Sequence, residues 1–263
     1  MILTLVALTA AQAAPAQADQ RLRSCTALVR TAPERAASEA ETWIAASGGV
    51  SARQCLGLAL SALERWAPAA TAFEQAARDA EGALDGRRAD LWVQSGNAWV
   101  AGGDPARAAA AFDAALLVPG ISDALRGQIH LDRARAMVAQ GNNASARTDI
   151  NRALELTPGD ATAWYLSAAL ARRQRDLGRA QTDIARAMEL APQEPGITLL
   201  AGTIAGLSGN AAEAERLYRR VVAIAPASEA GQQAQAALAT ITETELPAPP
   251  PPQTPAGTQP QPR

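Results

Sequence analysis

The sequence predicts an all-α protein built as a solenoid, a stack of antiparallel helix pairs. The first observation is a period: Pro158, Pro192 and Pro226 stand 34 residues apart, and each closes a near-copy of one phrase, RALELTPGD, RAMELAPQE and RVVAIAPAS. A repeat of this length is typical of stacked units that bury their apolar faces only against their neighbours. The second observation is composition. The 263 residues are 48% hydrophobic, rich in alanine, with two Phe and two Tyr, which favours closely packed helices over strands.

The N-terminal segment is predicted to direct export. Residues 2–11 form an apolar stretch, and residues 16–18 (Ala-Gln-Ala) resemble a processing site before Asp19, as in a secretory signal peptide. The prediction is a signal peptide at 1–18 and a periplasmic or secreted mature chain. No Arg or Lys precedes Arg21, so the segment lacks the basic N-terminal region that signal peptides usually have. A membrane span requires ~20 apolar residues, and no segment approaches that length.

The chain contains two cysteines, Cys25 and Cys55. An even count in an exported protein indicates a bridge. Both lie on helices predicted to be neighbours, so their Cα atoms can come within bridging range. Closing a loop of this size would contribute roughly 3–4 kcal/mol in the chain-entropy model. The alternative is two small buried thiols.

Five helix pairs are predicted across residues 50–226. Each consists of a helix pattern, a short turn rich in Gly, Asn or Asp, a second helix pattern and a stop at Pro or Gly. The units are predicted to begin at Val50, Ala89, Gly127, Ala161 and Pro195. Insertions at Gly82–Arg88 and Gly120–Arg126 precede the second and third units and are predicted to be loops.

The ends of the array are predicted to be capped. Residues 19–49 are interpreted as an N-terminal helical cap, and residues 227–245 as a capping helix with a polar outer face, which an open stack needs for solubility. Residues 246–263 contain eight prolines and are predicted to form an extended, disordered tail. One interpretation is that this tail serves as a spacer or as a ligand for an aromatic-lined groove of another protein. The other is that it is a passive, disordered end.

The pattern inside each unit resembles the tetratricopeptide repeat. The resemblance rests on a large residue at position 4, small residues at 8, 20 and 27, a bulky apolar residue at 24 and Pro at 32. The fourth unit has all six, as Trp164, Ala168, Ala180, Ile184, Ala187 and Pro192. The first unit departs from the pattern, with Arg53 at position 4 and Glu81 at position 32. The resemblance implies a right-handed α-solenoid of about five repeats with a concave inner face.

In this family the concave face is built mainly from positions 2, 5, 9 and 12 of each first helix. By that resemblance the groove residues are Gln54, Asp90, Asn97, Gln128, Arg135, Thr162, Tyr165, Arg172, Leu199 and Thr203. Arg135 and Arg172 lie at its middle, so a peptide with an acidic residue or a free carboxylate would suit the groove. The alternative is that Arg172, Arg173 and Arg175 complement the negative C-terminal end of their helix.

No constellation for catalysis, a cofactor or a metal emerges from the sequence. The single His130 falls at a packing position and is interpreted as a filler between helices, not as a base or ligand. One His and two Cys make no zinc set, and the glycines do not match a phosphate-binding loop. A net charge of −2 argues against a nucleic-acid partner, which requires a basic stripe.

The sequence therefore predicts a non-enzymatic scaffold or adaptor that binds a peptide or partner protein in its concave groove. The alternative is a structural or self-assembling envelope component whose groove stays empty. Groove residues and not the fold decide specificity.

Overall fold

The computed structural model describes residues 17–83 and 85–245, without the side chains of 242–245. These residues form helices joined by short turns, and no strand occurs among them. The predicted all-α repeat array is confirmed. Residues 1–16 of the predicted signal peptide and the proline-rich segment 246–263 lie outside the described residues.

The helices follow one another closely along the described chain. In order, α1 to α13 span 17–29, Pro33–Ala45, Gly49–Ala62, Trp66–Gly82, Arg88–Ala101, Pro105–Leu116, Asp123–Ala139, Asn143–Leu156, Ala161–Arg173, Leu177–Leu190, Pro195–Leu207, Ala211–Ile224 and Glu229–Glu245. They divide into two compact units, residues 1–175 and 176–263. The boundary falls in the turn between the two helix patterns of the fourth predicted repeat.

In the first unit each helix packs against the next, from α2 onward. The largest cluster extends from α3 to α7 and is centred on Phe73, Leu91, Phe112 and Ile129, each at most 2% exposed. Alanines fill most of the remaining core positions, so the helices approach closely. In the second unit α10 to α13 pack in chain order, with Tyr218 and Val221 among the buried residues.

A residue with a left-handed backbone conformation follows the first helix of every predicted pair. This residue is glycine in three units, with φ of 75° to 82°, and Glu64 or Arg175 in the other two, with φ of 56° and 62°. Glycine adopts this conformation without a steric penalty. In four pairs the following residue caps the next helix through its side chain, namely Asp104, Asn142, Asp176 and Asn210.

The second insertion is not entirely a loop, contrary to the sequence prediction. Helix α7 begins at Asp123, four residues before the predicted start of the third unit. The hydroxyl of Ser122 accepts a hydrogen bond from the backbone N–H of Leu125 at 3.2 Å. This N-cap satisfies a donor at the helix start, so the last residues of the insertion form a helical turn.

The small residue at position 8 is matched to the bulky residue at position 24 of the same unit. Three units place glycine opposite an aromatic ring: Gly57 opposite Phe73, Gly96 opposite Phe112, and Gly202 opposite Tyr218. A Cβ atom on these glycines would lie 2.5, 2.5 and 2.8 Å from the ring. The third unit instead has Ala134 and Ile150, which share one buried cluster. Glycine therefore occurs where a ring occupies the space that a methyl group would need.

We expect Gly96→Ala to lower the free energy of unfolding by about 1–2 kcal/mol. Overpacking a core costs about 1–3 kcal/mol, and the upper part of that range applies to a Cβ 2.5 Å from the ring. It exceeds the roughly 1 kcal/mol that alanine gains over glycine inside a helix. In a Phe112→Ile background the same substitution should become neutral or stabilising, because isoleucine leaves room for the methyl group. Urea unfolding of the four proteins followed by circular dichroism measures both effects. An equal effect of Gly96→Ala in the two backgrounds would contradict the matching.

Candidate functional site

A cleft that contains two of the groove residues predicted from the sequence lies between α7, α8 and α9 in the first unit. It has a volume of about 370 Å³. Its floor consists of Ala134, Ile150 and Leu170, each at most 3% exposed. We call it the arginine cleft, because its lining also includes three arginines, Arg135, Arg172 and Arg173.

Helical periodicity explains why the lining residues converge. On α9, Leu166, Ala169, Leu170 and Arg173 recur at spacings of three and four, which places them on one helix face. The start of α9 is fixed by Asp160, whose carboxylate accepts from the backbone N–H of Thr162 at 2.8 Å. This face supplies part of the apolar lining, α7 and α8 supply the rest, and the arginine side chains supply the charge.

The three arginines differ in their partners. Arg135 pairs with the largely buried Asp132, three residues earlier on α7. Burial raises the pKa of Asp132, and the guanidinium of Arg135 opposes that rise. In contrast, the guanidinium groups of Arg172 and Arg173 make no hydrogen bond or ion pair within the described part of the chain. They lie in the last turn of α9, where a positive charge also suits the helix dipole.

The structure brings together only two of the ten predicted groove residues in this cleft, Arg135 and Arg172. Gln54 accepts a hydrogen bond from the guanidinium of Arg87 at 3.1 Å. Asp90 lines a different pocket of the first unit. A binding surface requires accessible side chains, and none of the ten residues is buried. Four further predicted residues of the first unit, Asn97, Gln128, Thr162 and Tyr165, line neither pocket.

The remaining two predicted groove residues belong to the second unit. Leu199 and Thr203 lie on α11 and are half-buried. The hydroxyl of Thr203 donates to the carbonyl oxygen of Leu199 at 3.1 Å, and it lies 3.4 Å from the hydroxyl of Tyr218. These two residues remain predicted contacts.

Sequence reasoning missed a buried ionic network centred on Asp149 of α8. This carboxylate is 3% exposed and accepts from Nδ1 of His130 at 2.9 Å and from Nε of Arg133 at 2.9 Å. Arg133 also pairs with Asp113 of α6. The network therefore connects α6, α7 and α8, and His130 contributes a hydrogen bond in addition to the predicted packing.

The electrostatics of Asp149 follow from these contacts. Burial alone raises the pKa of a carboxyl group, but the hydrogen bonds from His130 and Arg133 outweigh burial and hold the pKa of Asp149 below its ordinary value of 3.8. Arg133 has a raised pKa, chiefly because it donates to Asp149. The sequence carried one signal of such a network, since Thr-Asp-Ile recurs after 34 residues around Asp149 and Asp183. Both aspartates are at most 5% exposed.

Cys25 and Cys55 are joined by a disulfide, with a Cα–Cα distance of 6.0 Å. Cys25 is 7% exposed and Cys55 2% exposed, and both belong to a cluster with Trp43. The bridge connects α1 to α3. Of the two alternatives left open by the sequence, the structure has the bridge.

The described residues contain neither a cluster of potential metal ligands nor a membrane-spanning helix. No group of three or more His, Cys, Asp or Glu side chains is placed to hold a metal ion. No helix there has the length and apolar character needed to cross a bilayer.

A sequence profile described as tetratricopeptide repeat matches residues 56–124 and 131–195 of this chain. Together these segments cover just over half of its length. Curated proteins gave no match.

Solved structures share the fold at low sequence identity. PilF of Pseudomonas aeruginosa has a TM-score of 0.60 at 14% identity, covering 84% of this chain and 99% of its own. YrrB, described as a tetratricopeptide repeat protein with an unusual peptide-binding site, has a TM-score of 0.52 at 18% identity, covering 74% and 96%. A thermophilic tetratricopeptide repeat protein of Thermus thermophilus has a TM-score of 0.55 at 16% identity, covering 74% and 100%. At these identities the likeness shows the fold alone.

Proposed function

This chain belongs to the tetratricopeptide repeat family, and we propose that it is a scaffold that binds a peptide segment of a partner protein in the arginine cleft. The observation that carries the proposal is the pair of guanidinium groups, Arg172 and Arg173, beside an apolar cleft of about 370 Å³. Neither has a partner among the described residues, so both can donate to a ligand.

The lining suggests the chemistry of the ligand. Half-buried Val138 and Leu166 and buried Leu170 offer contact to an aliphatic side chain. Guanidinium groups bind carboxylates through paired, charge-assisted hydrogen bonds. A peptide with an aliphatic residue next to an acidic residue or a C-terminal carboxylate would use both features.

Family membership supports a binding role, because repeat arrays present extended surfaces to partners. YrrB, one of the proteins of similar fold, has a peptide-binding site according to its description. We further propose that the chain catalyses no reaction. Its one histidine donates to the buried carboxylate of Asp149, an arrangement that serves helix packing.

We propose that the mature protein works in an oxidising compartment, such as the bacterial periplasm. The support is the Cys25–Cys55 disulfide, since disulfides persist mainly outside the reducing cytosol. The apolar N-terminal sequence agrees with export. Extracting the protein from the periplasm of producing cells and titrating its thiols would test the location and the bridge together.

Binding is tested with a fluorescein-labelled peptide, Ala-Ala-Leu-Leu-Glu with a free C-terminal carboxylate, by fluorescence anisotropy. We expect the Arg172→Ala/Arg173→Ala variant to bind about tenfold more weakly, equivalent to ~1.4 kcal/mol. The reason is that both donors to the ligand carboxylates are lost. This variant is preferred to Arg135→Ala, which would leave buried Asp132 without its counter-ion.

Arg152→Ala is the matched control. Arg152 is an exposed arginine of α8 that pairs with Glu155 three residues away, and it does not line the cleft. Its loss removes the same kind of charge without altering the site, so peptide affinity should stay within twofold of wild type. If Arg152→Ala and the double variant lose equal peptide affinity, the peptide is attracted by net charge alone. That result would contradict the assignment of the cleft as the binding site.

A further inference from the structure

The two insertions that depart from the 34-residue period lie around one pocket. It has a volume of about 460 Å³ and is lined by the end of α4, the loop before α5, the first turn of α5, the loop before α7 and Leu125 of α7. We call it the insertion pocket. It shares no residue with the arginine cleft.

Hydrogen bonds of Asp85 and Arg87 hold the part of the first insertion that directly precedes α5. The carboxylate of Asp85 accepts from the backbone N–H of Arg87 at 2.9 Å and from its guanidinium at 2.6 Å. The same guanidinium donates to Ser51 and Gln54 of α3, both at 3.1 Å. The loop is therefore anchored to the neighbouring helix pair, and a ligand would meet a preformed wall.

The second insertion is similarly fixed. Gly120 has a φ of 76°, a conformation that suits glycine, and Ser122 caps α7. Between them Ile121 turns inward and packs, with Leu125, against the main core cluster. Val118 and Ile121 are half-buried, so they present an apolar surface to the pocket.

The charges around the pocket are unequal. Three carboxylates, Glu81, Asp85 and Asp90, and one guanidinium, Arg88, line it. Arg88 pairs with Glu81 at 2.9 Å and Arg87 with Asp85 at 2.6 Å. The side chain of Asp90 is exposed, and its carboxylate has no ion-pair or hydrogen-bond partner among the described residues. One carboxylate is thus left to interact with a ligand.

A second polar group of the lining is also unpaired. The Nε atom of Arg88 is buried and has no hydrogen-bond acceptor, although the end of its guanidinium pairs with Glu81. A buried donor without an acceptor is unfavourable. This atom is enclosed by the protein itself, so the charge preference of the pocket depends on Asp90.

We infer that the insertion pocket is a second binding site, for an extended segment of a partner protein that carries Lys or Arg next to an aliphatic side chain. The cation lies at Asp90, and the aliphatic side chain contacts Val118 and Ile121. This site has the opposite charge preference to the arginine cleft. The two insertions, which the 34-residue period does not include, thereby acquire a role.

The test uses a fluorescein-labelled peptide, Leu-Arg-Leu-Lys-Leu with blocked ends, in anisotropy titrations of the full chain. Asp90→Asn should weaken binding about fivefold, the upper range for a single exposed ion pair. Gly86→Trp should abolish binding, because a Cβ at Gly86 meets nothing within 4 Å and the indole can occupy the pocket. Gly159→Trp is the matched control, since Gly159 also faces open space and lies outside the pocket.

Three results would overturn the inference: unchanged affinity in both Asp90→Asn and Gly86→Trp, equal loss in Gly159→Trp, or equally tight binding of Leu-Glu-Leu-Glu-Leu. The Arg172→Ala/Arg173→Ala variant should bind the basic peptide like wild type. This last comparison separates the two sites, so that one can fail while the other stands. Circular dichroism of each variant confirms that a lost signal reflects the pocket and not unfolding.

Discussion

Asp149→Ala should lower the free energy of unfolding by about 3 kcal/mol. Removing one partner of a buried ion pair costs roughly 3–5 kcal/mol, because the other charge is left buried and uncompensated. The lower end applies here, since Arg133 keeps its second partner, Asp113. His130, with a side chain 13% exposed, would also lose its acceptor. Urea unfolding followed by circular dichroism measures the change.

The control is Glu155→Ala on the same helix, which removes an exposed carboxylate paired with Arg152. Exposed pairs contribute about 0–1 kcal/mol, so a comparable loss in this variant would contradict the network.

The pH dependence gives an independent check of the Asp149 network. The pKa of Asp149 is lowered in the folded state, so its ionised form stabilises the fold above the ordinary value of 3.8. That contribution is lost as the pH falls from 3.8 through the lowered pKa. The stability difference between wild type and Asp149→Ala should therefore shrink below pH 3.8. A difference that stays constant across this range would mean that the carboxylate charge is not what stabilises the packing.

Cys25→Ser/Cys55→Ser should lower the free energy of unfolding by about 3.5 kcal/mol. The bridge spans 30 residues of sequence, and the chain-entropy model gives this value for a loop of that length. Because the bridge holds α1 against α3, α1 should exchange its amide hydrogens much faster in the variant. Urea midpoints and hydrogen exchange measure the two effects.

Reduction provides the matched comparison for the bridge. Dithiothreitol should destabilise wild type to about the level of the double variant and leave the variant unchanged. If reductant does not shift the wild-type midpoint, the bridge does not contribute to stability.

The fold could be predicted from the sequence because its signals are local and repeated. Prolines at a fixed interval, small residues where helices approach, and Gly followed by Asp or Asn in the turns each have a direct structural meaning. The N-terminus of α7 was predicted too late because the insertion before the third unit was interpreted as a loop up to the first repeat position, Gly127. Ser122, an N-capping residue followed by Asp123 in the first turn, carried the correct signal.

The candidate site could be predicted only in part. Repeat positions indicate which side chains point to one face, and this brought Arg135 and Arg172 to the same cleft. Repeat positions do not indicate which of these side chains already form hydrogen bonds with other residues of the chain. The hydrogen bond between Gln54 and Arg87 depends on the path of an insertion, for which the repeat pattern has no equivalent. Asp149 was missed for a related reason, since its partners lie 16 and 19 residues away.

Each helix pair matches a small residue to a bulky one, either glycine to an aromatic ring or alanine to isoleucine, and this matching restricts how such a gene can be rearranged. A crossover within the turn of a pair could join a glycine helix to an isoleucine helix, which leaves a void, or an alanine helix to a phenylalanine helix, which produces a clash. A crossover between pairs keeps both halves of the match. Duplication and shuffling of whole repeats is therefore tolerated, whereas recombination inside them requires a second, compensating substitution.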